Sequence, residues 1–114
     1  MRPASAKAKG RRLQQELRDR ILAVFPELHP DDVRSTSMGA GGEDLLLSPA
    51  ARAVFPFASE CKNQEALSIW SALAQAEANA GPYFPLLVFK RNRSRTYVAL
   101  RLDDLLALLK RGDR

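Results

Sequence analysis

Apolar residues in this chain come in short runs, such as Pro85-Leu86-Leu87-Val88-Phe89, set between stretches where they recur every three or four positions. Short runs bounded by turn residues suit buried strands, and the three-to-four spacing suits amphipathic helices. Both periods in one chain point to an α/β fold. No run approaches the ~20 residues of a membrane-spanning helix. At 114 residues the chain is long enough for one domain with a real core and too short for two. The N-terminus carries charge but no apolar segment of the secretory kind. The lone cysteine, Cys61, excludes a disulfide framework and fits a reducing, cytoplasmic compartment. With His29 as the only histidine, a His-based metal site or a Ser-His triad is improbable.

Residues 1–8 are small and basic, without an apolar period, and read as a disordered arm ahead of a single domain over 9–112. From Lys9, Leu13, Leu17, Ile21 and Phe25 mark a first helix that Pro26 and Pro30 end. Val33 to Ser37 and Asp44 to Ser48 read as short strands around the glycine-rich turn 39–42. Pro49 to Arg52 is a loop or short helical turn, and Val54 to Lys62 is a strand interrupted at Pro56. Ala66, Ile69, Trp70, Leu73, Ala76 and Ala80 define a second helix with Trp70 in its core stripe, stopped by Gly81-Pro82. Leu86–Lys90 and Thr96–Leu100 form a hairpin across the basic loop 91–95. Asp103 caps a last helix carrying Leu105, Leu106 and Leu109. The order is α-β-β-β-α-β-β-α.

Net charge is +5, and thirteen of the 18 basic residues are arginine, which grips phosphate bidentately. Seven bases against two acids lie in residues 1–20, and Lys90, Arg91, Arg93 and Arg95 form a second cluster. Two separated basic patches resemble a nucleic-acid footprint.

The chemistry is concentrated in Gly41-Gly42-Glu43-Asp44-Leu45-Leu46-Leu47, followed by Glu60-Cys61-Lys62. Strand residues two apart share a face, so Glu60 and Lys62 project together and Cys61 turns away, toward the second helix. Charge inside an apolar strand is costly unless paired or metal-bound. If the Asp44 strand lies alongside, two carboxylates and one amine converge. That set suits a hard divalent cation that retains waters, with the amine placing one water or stabilising an oxyanion. Taken alone, Glu-x-Lys is a common and weak pattern; the acid heading the preceding apolar strand strengthens it.

Gly-x-x-Asp-(apolar)₃ followed by Glu-x-Lys resembles the core of the PD-(D/E)XK nucleases. With Lys9-Gly10 opening a helix, Arg34 in a first strand and the Pro85–Lys90 run, the chain resembles archaeal-type (Hjc-like) Holliday-junction resolvases of the compact, phage-encoded kind. The resemblance spans roughly residues 9–101 and implies a restriction-endonuclease-like core, with a mixed central sheet of about five strands flanked by helices. It implies a Mg²⁺-dependent endonuclease, with Mn²⁺ as a substitute, working as a homodimer on four-way DNA junctions without membrane or small-molecule cofactor. Asp44 and Glu60, with the Cys61 carbonyl, would hold the metal, and Lys62 would assist the attacking water. Lys9, Arg11, Arg12, Arg34, Ser37, Lys90, Arg91, Arg93 and Arg95 would meet DNA. The family carries a helical glutamate where this chain has Gln14; Glu16 is the nearest acid, about 200° round the helix. Gln75 matches a glutamine that related nucleases carry near the site. The rival readings are a nuclease of the same core acting on flaps, single strands or ends, and a non-catalytic DNA-binding accessory.

Overall fold

The computed structural model describes residues 5–36 and 42–112. Helix α1 spans Ala6–Val24, and the Ser5 side chain caps it by accepting from the Ala8 N–H. Helical structure therefore begins three residues before Lys9, and the expected arm over 1–8 is already helical from Ala6, because Ser5 supplies a cap. A 3₁₀ turn, Pro30–Asp32, leads into β1, Val33–Ser35. Asp32 closes that turn by accepting from the His29 N–H at 2.7 Å and from the Ser48 hydroxyl at 2.6 Å. These bonds hold its carboxyl below the usual range.

β2 is Leu45–Leu47 and runs antiparallel to β1, with Val33 opposite Leu47. Ser48 caps the short helix α2, Pro49–Val54, with Pro49 at a first-turn position where a missing N–H costs nothing. The strand expected from Val54 starts only at Phe57, because α2 and Pro56 occupy its first half. β3 is Phe57–Asn63 and β4 is Phe84–Lys90, parallel to it, with Glu60 opposite Leu87. Parallel neighbours need a crossover, and α3, Ile69–Ala78, provides it. β5, Tyr97–Ala99, closes the expected hairpin on β4, and α4, Leu102–Gly112, follows.

The ladders β1-β2 and β3-β4-β5 meet at one residue. The Asp44 N–H donates to the Ser59 carbonyl at 2.8 Å, at the head of β2. The result is a mixed sheet of five strands flanked by helices, in the anticipated order except that α2 stands between β2 and β3.

Helix α1 covers one face of β3 and β4, where Leu13 packs with Cys61, Leu86 and Val88. Cys61 therefore faces the first helix, correcting the expectation that it faces the second. Farther along α1, Ile21 joins Leu28, Val33, Leu45 and Ala51 in a second cluster. On the opposite face α3 lays down a stripe of small residues, Ala72 and Ala76, which Ala80 just beyond the helix continues, all buried. Trp70 is not part of it and stands 81% exposed. It sits two residues before Ala72, about 200° round the helix, and the alanines, not the indole, let α3 lie close to the sheet. No described helix is long and apolar enough to cross a membrane.

Candidate active site

Asp44 stands where the two ladders part. Its main chain still bonds to β3, but its side chain has taken over the next position: Oδ2 accepts from the Cys61 N–H at 2.6 Å. A carboxylate thereby replaces a strand partner and is carried to the middle of β3. Groups of one strand residue leave along the same edge, so the Cys61 carbonyl also leaves toward Asp44.

Glu60 and Lys62 lie on either side of Cys61 and project to the other face, where the Lys62 Nζ stands 3.9 Å from Glu60 Oε2. The Glu60 side chain is almost fully buried and that of Lys62 is about three-quarters buried. The Asn79 side chain, at the C-terminal cap of α3, donates to Glu60 Oε1 at 3.3 Å. Burial raises the pKa of both acids, and the charge of Asp44 raises that of Glu60 further. The two carboxylates sense each other, and Lys62 offsets them only in part. The thiol of Cys61 is pushed far above its ordinary range by burial and by the same two acids, so it stays protonated and is no nucleophile.

Among the described residues no group of three or more His, Cys, Asp or Glu side chains is placed to hold a metal. The donors at hand are two carboxylates and a main-chain carbonyl. They fit Mg²⁺, which takes oxygen ligands, retains several waters and rarely occupies an all-protein cage.

Gln14 completes the group from α1. It is 1% exposed, accepts from the Ser35 hydroxyl at 2.7 Å and hydrogen-bonds Asp44, helping to hold that acid ionised. Glu16, expected as the helical acid, lies on the outer side of α1, where it accepts from the Thr96 hydroxyl at 3.3 Å. The 200° between positions 14 and 16 decides this, and a neutral amide takes the place at Asp44. Gln75 is exposed; Asn79, one turn later, is the α3 residue that reaches the site. The signal for Gln14 was its place seven residues before Ile21, on the buried stripe. Nothing in the sequence pointed to Asn79.

The turn before Asp44 is anchored by an ion pair. The Arg52 guanidinium bonds the Glu43 carboxylate, donates to the Phe57 carbonyl at 2.7 Å and stacks 3.7 Å from the Tyr83 ring centre. Arg52 thus ties the approach to Asp44 to α2 and to the start of β3.

The model of a family described as "Phage putative PDDEXK endonuclease" matches residues 6–112. The chain belongs to this family of phage PD-(D/E)XK endonucleases. No curated protein matches the chain. No solved structure matches it either.

In this PD-(D/E)XK chain the two basic patches of the sequence come together. Arg12, Glu16, Asn63, Lys90 and Arg93 line one cleft, and Glu16, Arg20, Lys90 and Arg95 line the adjoining one. Among the described residues Glu16 is the only acid lining either. Arg34 lies apart, 67% exposed on β1, beside Arg18 and Gln15. Lys9 is half-buried near the start of α1, Arg11 two residues on is exposed, and Arg91 borders a cleft with Glu65 and Tyr97. Ser37 lies outside the described residues.

Proposed function

We propose that this protein is a divalent-metal-dependent endonuclease that hydrolyses phosphodiesters in branched DNA, with the four-way junction as its preferred substrate. The observation that carries the reading is the seating of the Asp44 carboxylate on the Cys61 N–H, beside Glu60 and Lys62. Family membership supports nuclease chemistry and with it a divalent metal.

Asp44, Glu60 and the Cys61 carbonyl would hold Mg²⁺. When bound, the cation neutralises phosphate charge and acidifies a coordinated water. Lys62 holds the attacking water through its ammonium and stabilises negative charge as it develops on the phosphate oxygens. Gln14 and Asn79 keep Asp44 and Glu60 in place, so little reorganisation is needed during the reaction. Arg12, Lys90, Arg93 and Arg95 draw the DNA backbone toward the same domain. None of these contacts requires a base edge, which supports recognition by shape.

The test is cleavage of a labelled immobile four-way junction beside a linear duplex of equal length, with Mg²⁺ or with EDTA. Paired nicks near the branch point, with Mg²⁺ only and with the duplex spared, are expected. Equal binding and cutting of both DNAs would remove the junction preference and leave a nuclease for other structures. Binding without cleavage in either Mg²⁺ or Mn²⁺ would favour an accessory role.

A further inference from the structure

The cleft that Arg91 borders differs in character from the basic ones. It encloses about 280 Å³ between the start of α3 and the turn that joins β4 to β5. Leu67, Ile69, Phe89 and Tyr97 give it apolar walls, and Lys90 and Arg91 line it with charge. Tyr97 is 55% exposed, its ring 6.1 Å from that of Phe89. Neither Lys90 nor Arg91 takes part in an ion pair among the described residues.

The turn that walls this cleft is fastened. The Arg91 N–H donates to the Ser94 hydroxyl at 3.0 Å, and the Asn92 N–H donates to the Glu65 carboxylate at 2.5 Å. Between them Arg93 is held at φ +61°, a left-handed conformation that a residue with a side chain keeps only where its surroundings enforce it. Glu65 is the only acid lining the cleft among the described residues, and it is engaged in this fastening.

The pairing register relates the cleft to the candidate active site. Lys62 lies opposite Phe89, and Phe89 opposite Tyr97, so all three project to the face of the sheet that Glu60 also takes. At ~4.8 Å per strand, the Tyr97 backbone is about 10 Å from that of Lys62, the span of about three stacked nucleotides. Lys90 lines this cleft and both basic ones, so the three are continuous. An exposed aromatic ring beside two unpaired cations matches a nucleotide, the ring stacking on its base and the cations meeting its phosphates. Within a continuous duplex the faces of each base are covered by its neighbours, so only an unstacked nucleotide can enter.

We propose that this cleft takes one unstacked nucleotide of the DNA, with its base on the Tyr97 ring. The proposal rests on the DNA-cleaving reading above and deepens it: the substrate class is DNA whose stacking is interrupted, as at a branch point, and Tyr97 is a specificity-determining residue.

Fluorescence anisotropy in EDTA, with a labelled oligothymidylate, a four-way junction and a linear duplex, tests this. Tyr97→Ala should weaken binding of the single strand and of the junction roughly tenfold and leave duplex binding unchanged, which also reports an intact fold. Tyr97→Phe, which keeps the ring, should bind all three as the parent does. The proposal is overturned if Tyr97→Ala leaves the single strand or the junction unaffected, if all three DNAs weaken equally, or if Tyr97→Phe behaves as Tyr97→Ala. In each of those cases the parent still binds DNA and the nuclease reading stands. A parent protein that binds none of the three would overturn both.

Discussion

Burial sets the charge state of the two acids. Both Asp44 and Glu60 hold a proton more tightly in the folded protein than in the unfolded chain. The folded state then binds more protons, so this pair lowers stability as pH rises through the ordinary carboxylate range toward the raised folded values. A cation favours the ionised forms and reverses that loss. In EDTA at pH 7, Asp44→Asn, which keeps an acceptor for the Cys61 N–H, should melt at or above the temperature of the parent protein. The gap should close as pH falls below the unfolded carboxylate pKa. Mg²⁺ should raise the melting temperature of the parent at pH 7 and leave that of the variant unmoved. In cleavage assays Asp44→Asn should abolish cutting while DNA binding persists, and Lys62→Ala should cost roughly 10²–10³ in rate. The acids and the lysine are legible in the sequence because strand alternation alone puts Glu60 with Lys62 and sets Cys61 apart. Alternation does not say which helix covers which face, so the side that Cys61 takes is not legible. Gln14 and Asn79 depend on where two helices approach the sheet, and only the tertiary structure supplies that.

Each main element has a local cause in the sequence, and the departures share one: a spacing argument sees an apolar stripe but not its width. In α3 the spacing admits Trp70, yet the buried positions are the alanines. A close helix-to-sheet contact excludes the larger side chain. Ala76→Leu should therefore overpack this contact and cost about 1–3 kcal/mol, read as a lower urea midpoint with unchanged slope. Helix α2 shows the same limit at a boundary. Ser48 and Pro49 start a helix where the apolar pattern of Val54 to Lys62 suggests strand, and Pro56 separates the two. The pair that α2 contributes is nearly buried, with side chains 14% and 11% exposed for Arg52 and Glu43. Arg52→Ala would leave the Glu43 carboxylate without its partner. The expected loss is about 3 kcal/mol in chemical denaturation, with a larger loss of activity because the turn before Asp44 comes loose.

Across the whole molecule, basic residues far apart in the chain become neighbours. Arg12 and Arg20 on α1 join Lys90 at the end of β4 and Arg93 and Arg95 of the β4–β5 loop. The sequence shows both patches but not their meeting, which follows from α1 lying across β3 and β4. Replacing Arg12 and Arg93 with alanine should weaken junction and duplex binding alike. It should also flatten the dependence of log affinity on log salt by about 2, as measured by fluorescence anisotropy. One arrangement in the molecule has a further consequence. Asp44 grips β3 through its amide and through its carboxylate at once, so a single residue both fastens the sheet and places the carboxylate proposed to hold the metal. A slip of β2 by one position would unfasten the sheet and disarm the pocket together. Deuterium uptake at the Asp44 amide would therefore count the fraction of molecules in which that fastening is undone.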